Sequence, residues 1–176
     1  MLAAHRHRDR LVPLRIVTLA DRPDLQATVA DWQWREWGRP HGRTLESFAQ
    51  EAAATARPGG PEAGFVLLDG DAPVGTACLT LADLDSRPDL SPWLAGVFVE
   101  PAHRGRGHAT RLVAAVEQAA RARGHGTMWL FTWSAVALYQ RIGWEAVGTE
   151  QQHGSPVTLM RRDLSRAVPQ PVADGR

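Results

Sequence analysis

VFVEPAHRGRGHATRLV, residues 97–113, carries an apolar strand into a proline, then a burst of arginine and glycine, then an amphipathic helix. A helix N-terminus exposes unpaired backbone N–H groups and a partial positive charge, so it attracts an anion. Gly105 and Gly107 remove the β-carbons that would hold an anion away from those groups, while Arg104, Arg106 and Arg111 add formal charge. The combination reads as a diphosphate cradle. Solvated arginines around a plain glycine turn are the competing reading, and residue types alone leave both open. A dinucleotide fingerprint needs a third glycine where Thr110 stands, and the chain has no lysine for a P-loop, all its basic residues being arginine.

Around this segment the chain is 176 residues long, with 44% hydrophobic and 22% charged residues, enough for one domain with a substantial core. Its net charge of +1 argues against a dedicated nucleic-acid binder, for which a strong basic excess is the rule. No apolar run reaches the roughly 18 residues that span a bilayer, and MLAAHRHRDR is not followed by the apolar region of a secretory signal. A cytoplasmic location without membrane attachment is therefore expected. Cys78 is the single cysteine, in a strand-like run where a small apolar side chain fits the core. The histidines show no metal-ligand spacing, so no metal is expected.

Residues 1–13 and 165–176 read as flexible tails around one domain, 14–164. LRIVTL is a first strand; Asp21 and Pro23 then start a helix that carries Leu25, Val29 and Trp32 on one face, and GRPHG breaks it. A second helix begins near Thr44, with Leu45, Phe48, Ala49, Ala52 and Ala56 at helical spacing. FVLLDGDAPVGTACLTL predicts a hairpin about Asp69-Gly70, with Gly75 marking a bulge. WLAGVFV and TMWLFT are strands joined through a helix bearing Ala109, Leu112, Val113, Val116 and Ala120, which predicts a parallel βαβ unit. A short helix over residues 135–142, a Gly143 stop and two strands joined by HGS complete an α/β domain.

Arg104-Gly105-Arg106-Gly107-His108-Ala109, after a strand ending V-x-V-x-P, resembles the Q/R-x-x-G-x-G/A signature of the GNAT superfamily of acyl-CoA-dependent N-acyltransferases. Ala137-Leu138-Tyr139-Gln140-Arg141-Ile142-Gly143-Trp144, about thirty residues downstream, resembles that family's A-L-Y-x-x-x-G-F segment. The order of elements agrees over residues 14–164. The resemblance implies a single domain with a central mixed, mostly antiparallel sheet flanked by helices, its middle strands splayed into a cofactor cleft. It also implies acetyl-CoA as co-substrate, its diphosphate held from Arg104 through Arg106 and His108 to Ala109, and its pantetheine arm paired with the backbone of Phe98 and Val99. A homodimer is expected on the same ground.

Acyl transfer to an amine needs a neutral nucleophile, stabilisation of the developing oxyanion and a proton for the departing thiolate. Tyr139, the only tyrosine in the chain, is the expected general acid, since a phenol with a pKa near 10 stays protonated at neutral pH. Many family members carry a glutamate on the strand before the phosphate loop, and WLAGVF has none. Asp83 and Asp85, and after them Glu36, are the candidate bases, acting through a water. DWQWREWG lies in the helix region where the family recognises its acceptor. Trp34, Trp37 and Glu36 are the expected contacts to a cationic amine, by cation–π and charge interactions; packing of the first helix onto the sheet is an equal reading for the tryptophans. The activity expected is N-acetyl transfer to a primary amine of a small molecule. A catalytically silent acyl-CoA-binding or regulatory module and an acetyltransferase acting on a protein or peptide amine are the alternatives.

Overall fold

The computed structural model describes residues 13–165. The expected tails lie outside it, except for Pro13 and Ser165. Seven strands form one sheet in the order β1-β2-β3-β4-β5-β7-β6. They are β1 (Leu14–Thr18), β2 (Ala63–Asp69), β3 (Ala72–Thr80), β4 (Trp93–Val99), β5 (Thr127–Thr132), β6 (Glu145–Gln152) and β7 (Ser155–Asp163). Helices α1 (Gln26–Gln33) and α2 (Leu45–Thr55) follow β1, α3 (His108–Ala122) joins β4 to β5, and α4 (Val136–Arg141) precedes β6. Every neighbouring pair is antiparallel except β4 and β5.

Local chemistry accounts for the boundaries. Gly70, at φ +62°, lets the chain turn between β2 and β3 without a Cβ penalty. Thr44 caps α2 by accepting a hydrogen bond from the Ser47 amide at 3.2 Å. Gly143, at φ +93°, ends α4, and the Trp144 amide returns to the Tyr139 carbonyl at 3.0 Å. The ladder between β2 and β3 slips beside Gly75, as its glycine predicts. The residue is needed for a second reason: a Cβ there would stand 2.8 Å from the Phe98 carbonyl oxygen on β4. The first helix departs from expectation. It stops at Gln33 and passes into a wider π turn over Trp34–Gly38, which rotates those residues away from the face set by Val29.

The main core lies between the sheet and α3. Leu112, Val113, Val116 and Ala120 form the helix's apolar stripe against Leu67, Leu79, Leu94, Met128 and Met160. On the opposite face Val29 and Leu25 pack on Leu19, Val66 and Leu68. One charged group is buried with the first of these cores. Glu117 of α3, 5% exposed, accepts the Trp144 indole N–H at 3.0 Å and lies 3.4 Å from the Arg162 guanidinium on β7.

Two irregularities open the middle of the sheet. β4 and β5 share one register pair, Trp93 with Trp129, reinforced by the Trp129 amide donating to the Pro92 carbonyl at 3.0 Å. Upstream of the β4 C-terminus, Thr76 pairs with Phe98 and Cys78 with Ala95, so Gly96 and Val97 both stand opposite Ala77 and form a bulge. Beyond the tryptophan pair the strands part.

Candidate active site

The parting strands leave a cleft of about 600 Å³ whose walls include Val97, Phe98 and Val99 of β4, Gly105, Gly107 and His108 at the start of α3, and Leu138 and Tyr139 of α4. Gly105 and Gly107 hold φ of +74° and +77°, the left-handed region that favours glycine, and a Cβ at either would project into open space. Gly107 is also the N-cap of α3 and offers no side chain to the first-turn amides, which are left to an incoming acceptor.

The field at this mouth is positive. His108 is 5% exposed, and its basicity is lowered first by burial and then by Arg106 and Arg111. Its buried Nδ1 has no partner among the described residues. Arg104 folds back, its Nε donating to the Val99 carbonyl at 2.8 Å and its guanidinium lying 5.8 Å from the Phe98 ring centre. Glycines without β-carbons, an uncapped helix start and the positive field of nearby arginines fit a diphosphate group. Arg106 does not line the cleft wall as its neighbours do. Val99 enters with its carbonyl already engaged by Arg104.

Tyr139 reaches the cleft from α4, 8% exposed. Its ring meets Trp144 edge to face at 6.1 Å, and its hydroxyl has no hydrogen-bond partner among the described residues. Burial pushes the phenol up to about 12, so it keeps its proton across the neutral range.

A second cavity, about 770 Å³, adjoins the first; Trp37, Gly96 and Trp133 line both. Four carboxylates line it, Glu51, Glu62, Asp83 and Asp85, with Arg43 as the one arginine, itself ion-paired to Glu51. Asp83 is half-buried on the loop after β3. Burial, then the charges of Glu51 and Asp85, push its carboxyl up to about 7, against the opposing pull of Arg43. A carboxyl at that value exchanges protons near neutrality, as a general base does.

The tryptophan segment divides. Trp37 lines both cavities, and the exposed Glu36 lines the cleft rather than the acidic cavity. Trp34 lines neither: it packs with Ala30, Phe48 and Ala52 where α1 meets α2, and its indole N–H donates to the Arg43 carbonyl at 2.9 Å. Trp32 is buried against Phe98, ring centres 5.4 Å apart. The π turn produces this split by changing the angular step between the tryptophans.

Sequence reasoning passed over Gln33, Glu51 and Glu62. Gln33 follows Val29 by four residues, so helical periodicity puts a polar group on a buried face, a signal of function or of a satisfied core amide. The carboxylates come from α2 and from the bend just before β2, and only the tertiary fold collects them. Cys78 is 5% exposed, and burial pushes its thiol up to about 12 despite a hydrogen bond from Gln33. Among the described residues no group of three or more His, Cys, Asp or Glu side chains could hold a metal ion, and no helix is long and apolar enough to cross a membrane.

The acetyltransferase (GNAT) family model matches residues 27–144. No curated protein sequence matches the chain significantly. Among solved structures, an aminoglycoside 6′-N-acetyltransferase complexed with coenzyme A superposes with a TM-score of 0.69 at 19% identity, covering 89% of this chain and 99% of that one. An aminoglycoside 6′-acetyltransferase type Ii gives 0.67 at 22% identity with the same coverage. A ribosomal-protein-alanine N-acetyltransferase from Brucella melitensis gives 0.62 at 23%, covering 86% of this chain and 99% of that one. At these identities the likeness is one of fold.

Proposed function

Because the chain belongs to the acetyltransferase (GNAT) family, we propose that it moves an acetyl group from acetyl-CoA to a primary amine of a small molecule. The carrying observation is the junction at Trp37, Gly96 and Trp133, where a cleft suited to coenzyme A opens onto a cavity lined by carboxylates. A carboxylate-lined cavity lowers the energy of a cationic guest and raises its local concentration. The two aminoglycoside acetyltransferases of similar fold add a reason to test polycationic acceptors.

The glycine loop and the first turn of α3 hold the diphosphate of coenzyme A, and the parted edge of β4 receives the pantetheine arm. Asp83 takes a proton from the acceptor ammonium, directly or through a water, leaving a neutral amine to attack. Tyr139 is the general acid that faces the sulfur. A phenol at about 12 is a weaker acid than a thiol near 8.5, so its main contribution is a hydrogen bond to the departing sulfur, with water able to complete the proton transfer.

The test is release of free thiol from acetyl-CoA against a panel containing an aminoglycoside, a polyamine, an amino acid and an N-terminal peptide. Turnover confined to the small amines supports the proposal. Preference for the peptide moves the acceptor to a macromolecule, and coenzyme A binding without turnover of any amine favours the silent binding module.

A further inference from the structure

Gln33 is a polar side chain only 6% exposed, and it lines the acidic cavity beside the junction with the cleft. Its amide nitrogen donates to the Cys78 sulfur at 3.4 Å, a weak acceptor. The carboxamide oxygen has no partner among the described residues, nor does it fall among the fully enclosed orphan atoms. Such an oxygen, denied a protein donor and still reached by the cavity, retains its capacity to accept.

Its placement is set by Gly96. A Cβ on Gly96 would overlap the Gln33 amide, so the carboxamide lies directly on the backbone of the β4 bulge. Gly96 has φ +58° and borders both cavities. The bulge supplies the backbone conformation that excludes other residues and the space that a buried glutamine occupies. The Gln33 amide is therefore held against Gly96, one of the three residues that border both cavities.

We propose that Gln33 is a substrate-contact residue of this reaction: its Oε1 accepts a hydrogen bond from the acceptor's reacting amine and aims the nitrogen lone pair at the thioester in the cleft. The inference rests on the acetyltransfer reading above. In the step it serves, the amine nitrogen forms a bond to the acetyl carbon and the carbon–sulfur bond breaks. The nitrogen gives up one proton to a carboxylate or water, and the sulfur leaves as thiolate, gaining its proton from Tyr139 or water. A neutral amide suits this position, because it accepts from an N–H in either the ammonium or the amine state without holding the ammonium as tightly as a carboxylate would.

The experiment compares Gln33→Leu, Gln33→Glu and Cys78→Ala, using the amine that wild type acetylates fastest in the panel. Three quantities are read: kcat and KM for that amine, coenzyme A Kd by calorimetry, and the thermal midpoint. Gln33→Leu should lose roughly 10–100-fold in kcat/KM for the amine, with coenzyme A affinity within about two-fold. Gln33→Glu restores an acceptor oxygen and should recover part of that loss. Cys78→Ala removes the partner of the amide nitrogen and trims the wall of the same cavity, so it should cost clearly less kcat/KM than Gln33→Leu. Wild-type kinetics in Gln33→Leu would overturn the proposal. So would a parallel loss of coenzyme A affinity and midpoint reproduced by Cys78→Ala, since Gln33 would then merely support the bulge. Failure of wild type to acetylate any amine, with coenzyme A still bound, would remove the acetyltransfer reading and this inference with it.

Discussion

Trp93 of β4 and Trp129 of β5 make the sole register pair between the two parallel strands, and Trp93 is completely buried while doing so. The pair marks the apex of the cleft. With the Trp129 amide bonded to the Pro92 carbonyl it joins the strands at the start of β4, and past it the strand edges face the cavity that the glycine loop overlooks.

Coenzyme A should raise the thermal midpoint, because a ligand bound only by the native state stabilises it by mass action. Gly107→Val should weaken coenzyme A binding by at least roughly ten-fold, since it adds a branched side chain facing the helix start. It also forces a β-branched residue to φ +77°, at a cost of about 1–2 kcal/mol. Gly124→Val is the matched control: φ there is +83°, and the space around it is equally open. Calorimetry should find similar destabilisation in both variants and weakened binding in Gly107→Val alone.

Tyr139→Phe preserves the ring that packs on Trp144 and removes a hydroxyl with no partner among the described residues. Fold and coenzyme A affinity should be unchanged, and kcat should fall by about ten- to a hundred-fold, at or below the low end of what a general acid contributes, because Tyr139 acts chiefly as a hydrogen-bond donor to the departing sulfur. With the phenol at about 12, its ionisation lies above the working range. The wild-type profile should therefore show no alkaline limb from this group below about pH 10. Wild-type turnover in the variant would remove Tyr139 from the chemistry.

Asp83 must be ionised to accept a proton, so activity should rise as pH increases through about 7, and Asp83→Asn should flatten that limb and lower kcat. The stability effect runs the other way. A carboxyl raised in the folded state favours folding while protonated, and the benefit is lost as pH rises from the ordinary aspartate range through about 7. Asp83→Asn should therefore be more stable than wild type at pH 8, by on the order of 1–4 kcal/mol, and no more stable at pH 4. Thermal scans at the two pH values decide it.

Trp37→Ala and Trp34→Ala should separate cleanly. Trp37 lines both cavities, so its loss should raise the acceptor KM with a modest change in midpoint. Trp34, partly buried, packs between α1 and α2, and its truncation should cost about 2–3 kcal/mol, less than that of a fully buried aromatic, with KM little altered in the protein that remains folded. The reverse pattern would return Trp34 to the acceptor site.

Much of the fold was legible because its signals are local. The Asp69-Gly70 turn, the Thr44 cap, the apolar stripe from Leu112 to Ala120 and the Gly143 stop each appear where the side-chain chemistry requires. The glycine turn before α3 was legible for the same reason, since Gly105 and Gly107 act through their own backbone conformations. The acidic cavity was not. Glu51 and Glu62 lie on separate segments, and neither carries a local mark that distinguishes it from a solvated surface charge. Trp34 and Trp37 could not be told apart either, because periodicity assumes one angular step per residue and the π turn changes that step between them. Gly96 read as an ordinary strand residue, although the bulge it permits decides where the two cavities join.

Glu117 acquires a meaning from this geometry. Its carboxylate lies on α3, which packs on the β2–β4 side of the sheet, while the Trp144 indole and the Arg162 guanidinium approach it from the other side of the split. The fold thus carries a keystone behind the opening: Glu117, held by Arg121 of its own helix and by Arg162 of β7, ties α3 to the far half of the sheet beside the apolar stripe. A guest sliding between β4 and β5 has no ladder to unzip on the way in, so the aperture belongs to the fold itself and entry is a matter of fitting rather than of prying.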